Sequence, residues 1–133
     1  MTCNEAWFPE IAGRRVREGA GYLVNLSNDS WFEPSFSAQS FDMVRMRAVE
    51  QRRYLVRAST SGPSAIVDPW GRVLARSEPL EAAVLRGSIR ARLEPSLYGG
   101  FGDVFAGVSA LVVASGLLLR RPGARNLAPA GLG

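Results

Sequence analysis

The sequence predicts an α/β fold in which short strands alternate with helices, followed by an apolar segment near the C-terminus. Two stretches carry apolar residues at helical spacing, several short apolar runs lie between turn-forming residues, and one long stretch lacks charge. The predicted order is helix, strand, helix, hairpin and strand, which is typical of a sheet layer rather than a helical bundle. With 133 residues, 47% of them hydrophobic, the chain can form one domain with a buried core.

The first two predicted elements are a short helix and a short strand. Apolar residues from Trp7 to Val16 recur at helical spacing, which predicts a helix over residues 6–18 that ends at Gly19. Residues 22–26 (YLVNL) then predict a short buried strand, and residues 27–30 (SNDS) predict a loop.

The longest predicted helix covers residues 38–57, where apolar positions from Phe41 to Val56 form one side and arginines form the other. Residues 59–63 (STSGP) end it. Two short strands at 64–67 and 72–75 follow, joined by a tight turn at 68–71 (DPWG), and a third strand is predicted around residues 83–89.

Residues 104–119 are uncharged and mostly apolar. As a helix they would extend roughly 24 Å, somewhat less than the ~30 Å hydrocarbon core of a membrane. Because three arginines follow at positions 120, 121 and 125, we favour a transmembrane helix over a buried C-terminal helix. The remaining residues, rich in proline, glycine and alanine, predict a disordered tail.

Composition excludes several kinds of site. The 16 basic residues are all arginine, and the sequence has no lysine or histidine and a single cysteine, Cys3. A self-contained Ser-His-Asp or Cys-His site is therefore excluded, as are a lysine base and a histidine-based metal site. We expect neither a metal nor a cofactor.

The net charge of +4 leaves open a basic module that binds nucleic acid or anionic lipid. Its arginines are spread along the chain among acidic residues rather than gathered with aromatic residues, so we expect no nucleic-acid partner.

Three stretches nevertheless resemble one enzyme family. Residues 3–5 (CNE) resemble the nucleophile turn of the nitrilase, or carbon–nitrogen hydrolase, superfamily. Residues 25–32 (NLSNDSWF) are similar to a loop typical of apolipoprotein N-acyltransferases, and residues 46–59 and 68–73 (DPWGRV) are similar to that family's helix and hairpin. The motifs occur in the family's order over about residues 3–100, and the apolar segment lies where the family has its last membrane helix.

The resemblance implies a fold and a division of the chain. Residues 1–100 would be the C-terminal part of a nitrilase-like α-β-β-α sandwich, residues 101–120 a transmembrane helix, and residues 121–133 a disordered tail. Half a sandwich exposes sheet faces and edges, so we expect the chain by itself to be poorly soluble.

The resemblance also implies the site. Cys3 takes the position of the nucleophile, Glu5 that of a supporting carboxylate, and the backbone N–H of Asn4 that of an oxyanion donor. A helix beginning near Ala6 would stabilise a thiolate at Cys3, whereas Glu5 could equally be a first-turn acid that only stabilises the helix start. Trp31, Phe32 and Asn28 are candidates for the substrate pocket, with core packing and turn formation as the simpler interpretations.

Two departures from the family limit this expectation. The superfamily uses a glutamate base and a lysine upstream of the cysteine, but only two residues precede Cys3 and the sequence contains no lysine. Asn4 also stands where a tyrosine is common. We therefore expect a C-terminal fragment that is inactive by itself.

The implied activity is transfer of an acyl chain from a phospholipid, through a thioester on cysteine, to the N-terminal amine of a lipoprotein. The implied location is the bacterial inner membrane, with the catalytic domain in the periplasm and the C-terminus in the cytoplasm. A soluble amidase of the same superfamily is the alternative enzyme, and a non-catalytic basic module is the alternative from another class.

Overall fold

The computed structural model describes residues 1–119, and the predicted tail at 121–133 lies outside them. Contacts within the chain divide it into two units, Met1–Gly102 and Asp103–Gly133. The first unit contains the sheet and is described first.

A four-stranded mixed sheet forms the centre of the first unit. Its strands are β1 (Tyr22–Ser27), β2 (Tyr54–Ser59), β3 (Ala65–Val67) and β4 (Val73–Arg76), in the spatial order 1-2-3-4. β1 and β2 are parallel, whereas β3 is antiparallel to both β2 and β4. The predicted α/β class and the predicted hairpin are confirmed.

Helices cover one face of this sheet. α1 (Pro9–Arg17) and α2 (Pro34–Gln51) follow a 3₁₀ helix over Cys3–Trp7, and a short helix α3 (Leu97–Phe101) closes the unit. The core lies between α2 and the inward side chains of the strands. It contains Ala6, Ala12, Leu23, Phe41, Val44, Ala48, Leu55, Ala65 and Val67.

The predicted helix over 38–57 was wrong at both ends. α2 begins at Pro34, since proline suits the first turn of a helix, and it ends at Gln51. Arg52 adopts the left-handed conformation with φ 51°, which terminates the helix. Residues 54–59 form β2 instead, so β1, α2 and β2 make a parallel βαβ unit that the sequence pattern did not predict.

The predicted helix over 6–18 is divided in two. Pro9 lacks the N–H that would continue the 3₁₀ helix, and it begins α1 as a separate element. β1 was predicted as a buried strand, but only alternate residues are buried: Leu23 and Asn25 face the core, while Val24 faces outward.

The predicted strand at 83–89 is not a strand. The segment 81–96 lacks regular secondary structure, and it contacts the chain just before β1. There the N–H of Arg92 donates to the carbonyl of Gly21 at 2.9 Å, and Gly21 is so close to Ala91 that a side chain at that glycine would clash. The side chains of Tyr22, Val24 and Leu26, which alternate with the inward Leu23 and Asn25, are exposed on the other face of the sheet.

The second unit contains α4 (Val104–Leu119), whose bounds match the apolar segment noted in the sequence. Within residues 1–119, no helix is long and apolar enough to cross a membrane, so the predicted transmembrane helix over 101–120 is not supported. One reason is that α3 and α4 are separate helices, since Gly102 ends α3 at a positive φ of 63°.

Candidate functional site around Cys3

The N-terminal residues run alongside β1 at the edge of the sheet. The amine of Met1 donates to the carbonyl of Val24 at 2.9 Å, and the N–H of Leu26 donates to the carbonyl of Met1 at 3.1 Å. Thr2 forms a parallel bridge to Leu26. The chain therefore leaves a strand-like position immediately before Cys3.

Cys3 lies at a sharp turn between this strand-like segment and the 3₁₀ helix. Its φ is +45°, a left-handed value that is rare for a residue with a side chain, and the residue is half-buried. Such a conformation costs on the order of 1–3 kcal/mol and persists only where surrounding contacts enforce it. Strained residues of this kind are concentrated at functional sites, which makes Cys3 a candidate nucleophile.

Glu5 holds the start of the 3₁₀ helix. Its Oε2 atom accepts a hydrogen bond from the backbone N–H of Thr2 at 2.7 Å, an arrangement typical of a helix-capping carboxylate. Asn4 and Glu5 are both exposed. The contacts of Glu5 thus fit its structural interpretation, and the charge is available to solvent.

The other end of the 3₁₀ helix is fixed to α2. Arg47 Nη1 donates to the carbonyl of Trp7 at 2.8 Å, and the indole N–H of Trp7 donates to Ser40 at 3.1 Å. Arg47 also forms an ion pair with Glu50, one turn further along α2, at 2.7 Å. The turn at Cys3 is therefore attached both to the sheet and to the longest helix of the first unit.

An open depression of about 420 Å³ lies beside Cys3, at the carboxyl ends of the parallel strands β1 and β2. Ligands of α/β proteins commonly bind at this end of parallel strands. The lining residues are Thr2, Cys3, Leu26, Ser27, Asn28, Ala58, Ser59 and Thr60. Of the predicted site residues, Cys3 and Asn28 are therefore brought together.

Asn28 connects two loops at the rim of this depression. Its Oδ1 atom accepts hydrogen bonds from the backbone N–H of Ser30 at 3.1 Å, from the Ser30 hydroxyl at 2.7 Å and from the Thr60 hydroxyl at 2.7 Å. These contacts support the turn-forming interpretation of Asn28.

Trp31 and Phe32 do not line the depression. Trp31 is 79% exposed, whereas Phe32 packs against Phe36, with ring centroids 4.7 Å apart, and against Trp7 at 6.0 Å. Phe32 does line a second cavity of about 250 Å³, together with Asp29, Ser30, Ser37, Ser61, Pro79 and Leu80. The structure thus places the two aromatic residues in different surroundings from Cys3.

A buried polar network lies beneath Cys3. Arg57 Nη1 donates to Asn25 Oδ1 at 2.7 Å, and Arg57 Nη2 donates to Asp29 Oδ2 at 2.6 Å. Asn25 Nδ2 in turn donates to the carbonyl of Cys3 at 3.2 Å. The ion pair is fully enclosed, with 0% and 1% of the two side chains exposed.

The charge of Asp29 is stabilised inside this network. Burial alone would raise its pKa, but the hydrogen bond from Ser27 and the positive charge of Arg57 outweigh burial and hold the pKa below its ordinary value. Asp29 is therefore a carboxylate at neutral pH.

The sequence reasoning missed Asn25 and Arg57 and treated Asp29 as a turn residue. A signal was present, because Asn25 interrupts the apolar run YLVNL and Arg57 follows the apolar run YLV at residues 54–56. A polar residue at the inward position of a strand requires a buried partner. For Arg57 this signal was missed because residue 57 was assigned to the helix predicted over 38–57 and not to a strand.

Within residues 1–119, no group of three or more Cys, Asp and Glu side chains is arranged to hold a metal ion.

Comparison with known proteins identifies the family. The sequence model of the carbon-nitrogen hydrolase family matches residues 1–95, which is well over half of the chain. The chain belongs to the carbon–nitrogen hydrolase family. The matched residues contain Cys3, the depression and the whole buried network.

Curated relatives of this chain carry the name apolipoprotein N-acyltransferase. The chain is 39% identical over 124 residues to the protein from Geobacter metallireducens and 41% identical over 121 residues to that from Bradyrhizobium diazoefficiens. These matches cover 91% and 90% of this chain but only 24% and 22% of the relatives. The chain thus spans about a quarter of the length of the curated relatives.

Solved structures agree with the family assignment. The C. elegans NitFhit protein shares 29% identity and a TM-score of 0.52, over 60% of this chain and 22% of that one. An amidase from Nesterenkonia sp. shares the fold at a TM-score of 0.55 and 21% identity, over 83% of this chain and 42% of that one.

Proposed function

We propose that this chain is the nucleophile-bearing portion of an apolipoprotein N-acyltransferase. The observation that carries the proposal is the position of Cys3: a strained turn between a strand edge and a helix, beside an open depression at the carboxyl ends of parallel strands. The curated relatives and the motif at residues 25–32 support the acyltransferase branch of the family.

The proposed reaction has two steps through one covalent intermediate. The general base takes the proton of the Cys3 thiol, and the thiolate attacks the ester carbonyl of a phospholipid. The ester C–O bond breaks, the base returns that proton to the leaving lysophospholipid, and a thioester forms. The N-terminal amine of a lipoprotein then attacks the thioester, and the acyl chain is transferred as the thiol is released. The backbone N–H of Asn4 stabilises the oxyanion.

The remaining candidate residues have supporting roles. Glu5 supports the site by capping the helix that follows Cys3, and Asn28 shapes the rim of the depression. Trp31, exposed beside the loop, and Phe32, which lines the second cavity, would contact the acyl chain. The proposed setting is the inner membrane, with the catalytic domain in the periplasm and the C-terminus in the cytoplasm.

The glutamate base and the lysine are supplied by the rest of the enzyme, since this sequence contains no lysine. We therefore expect a cysteine-directed acyl ester to label the purified chain at most once per molecule. Repeated turnover by the purified chain would contradict this.

The decisive experiment restores the missing part. In a chimaera, residues 1–119 replace the matching segment of the Geobacter metallireducens relative, and acyl transfer from phospholipid to a diacylated lipoprotein is measured. We expect transfer that is lost in Cys3→Ala and kept in a matched surface variant, Ser88→Ala. A membrane-inserted chimaera that retains transfer after Cys3→Ala would refute the role of Cys3.

The same chimaera distinguishes the alternative enzyme, an amidase. The two reactions differ in the acceptor of the acyl group, which is an amine in the transferase and water in the amidase. Release of free acid from a short amide, without transfer to a lipoprotein amine, would favour the amidase.

A further inference from the structure

We propose that Asn25, Arg57 and Asp29 are positioning residues that hold Cys3 in its left-handed conformation. This inference rests on the proposed function, in which Cys3 is the nucleophile. The three side chains form one continuous hydrogen-bonded line that ends at the carbonyl of Cys3. All three are buried, so they are shielded from competing water.

The orientation of Asn25 is fixed by the chemistry of its neighbours. A guanidinium can only donate hydrogen bonds, so the amide oxygen of Asn25 must face Arg57. The amide NH₂ is then left to face the carbonyls of Cys3 at 3.2 Å and Met1 at 3.5 Å. Arg57 thereby determines which group Asn25 presents to the turn.

Asp29 holds the guanidinium of Arg57 in place. Its two oxygens accept from the hydroxyls of Ser27 and Ser37 as well as from Arg57. Gly62 packs so closely against this carboxylate that a Cβ atom at position 62 would clash with Asp29 and with Ser37. Three donors and the contact with Gly62 hold the carboxylate, and the carboxylate in turn holds the guanidinium of Arg57.

The contrast with Arg53 separates positioning from ordinary structural support. Arg53 is equally buried, but its guanidinium donates only to backbone carbonyls, among them those of Ala20 at 3.0 Å and Glu94 at 2.8 Å. None of these contacts reaches the turn at Cys3. Arg53 therefore provides a matched control for Arg57.

The test measures amide hydrogen exchange, residue by residue, in the full chain and in Arg57→Lys and Arg53→Lys. A lysine cannot bond to an amide and a carboxylate in the forked geometry of arginine. We expect Arg57→Lys to speed exchange over residues 3–8 about tenfold more than exchange in the rest of the sheet, because local opening of this turn is then no longer opposed by the buried network. Arg53→Lys should leave residues 3–8 at the wild-type rate.

A milder variant covers the case in which Arg57→Lys does not fold. Ser37→Ala removes one hydrogen bond from Asp29, and we expect a smaller acceleration confined to residues 3–8. Equal acceleration in the two arginine variants, or acceleration spread evenly over the sheet in Ser37→Ala, would overturn the inference.

The chimaera supplies the functional measurement. For a positioning role, Arg57→Lys lowers kcat by about tenfold and leaves KM unchanged, because a displaced nucleophile slows the chemical step without altering binding. Arg53→Lys leaves both constants unchanged. A chimaera that is inactive with the wild-type sequence would count against the proposed function, whereas the exchange experiment decides the positioning inference by itself.

Discussion

Two buried arginines, Arg53 and Arg57, lie close together in the sequence but bind different kinds of partner. Arg57, towards the carboxyl end of β2, donates to the side chains of Asn25 and Asp29 beneath Cys3. Arg53, just before the amino end of β2, donates to backbone carbonyls from three segments of the chain. Burial of a charge therefore does not by itself indicate function; the kind of partner does.

The partners also determine how each arginine contributes to stability. The positive charge of Arg57 is balanced by a buried carboxylate, so the two charges depend on each other. Arg53 is balanced by carbonyl dipoles near the surface, and burial lowers its pKa, partly countered by the charge of Glu94. We therefore expect substitution of Arg57, near the carboxyl ends of β1 and β2, to lower stability more than substitution of Arg53 at the amino end of β2.

The largest expected effect tests this difference directly. Arg57→Leu leaves Asp29 as an unpaired buried charge and should lower the free energy of unfolding by about 3–5 kcal/mol. Arg53→Leu leaves carbonyls that water can partly reach, and should cost only about 1–3 kcal/mol. Urea unfolding of the two variants measures both values. Equal losses of unfolding free energy in the two variants would mean that Arg57 and Arg53 contribute equally to stability, against the expected difference.

An acid titration gives an effect of intermediate size. The pKa of Asp68 is also held below its ordinary value: burial would raise it, but hydrogen bonds from the backbone and side chain of Arg72 outweigh burial. Asp29 and Asp68 therefore bind fewer protons in the folded than in the unfolded chain, so their stabilisation is complete above their ordinary pKa of 3.8. It is lost as the pH falls through their folded values.

Unfolding by urea from about pH 6 down to pH 2 should show this loss. We expect Asp68→Asn to weaken the pH dependence of the unfolding free energy without altering hydrogen exchange near Cys3. We expect Asp29→Asn to weaken that pH dependence and also to speed hydrogen exchange near Cys3. If the unfolding free energy does not fall below pH 3.8, the claim that folding lowers the pKa of Asp29 and Asp68 is contradicted.

The smallest effect concerns Glu5, at the same end of the sheet as Arg57. Glu5→Ala removes an exposed cap and should cost about 0.5–1 kcal/mol of unfolding free energy. Glu18→Ala, which removes a surface pair with Arg15, should cost less. In the chimaera, Glu5→Gln should keep acyl transfer, since its amide oxygen can still accept from Thr2; loss of transfer would assign Glu5 a role that needs its charge.

The sequence predicted the elements whose signals are local. The hairpin around DPWG at residues 68–71 and the helical centre of α2 depend on turn chemistry and short-range periodicity, and both were found. β2 was missed because Tyr54 and Leu55 continue the apolar period of α2, while the left-handed Arg52 that ends the helix gives no local signal.

The candidate site was predicted in part. Cys3 and Asn28 meet at one depression, but Trp31 and Phe32 lie elsewhere, since the direction of a loop side chain depends on packing that no motif encodes. Arg57 and Asn25 were missed because they become neighbours only when β1 and β2 pair in parallel register, with Asn25 opposite Arg57.

The sequence by itself determined the chemistry that is available. The absence of histidine and lysine excludes a Ser-His-Asp or Cys-His site and a lysine base, the single cysteine leaves one candidate thiol nucleophile, and the ordered motifs indicate the family. The tertiary structure decided how that thiol is held: it places Cys3 at a positive φ and joins it, through Asn25 and Arg57, to a buried carboxylate. The physical reason is that a strained residue and a buried charge are each unfavourable alone, and only the folded sheet brings the groups that stabilise them into contact.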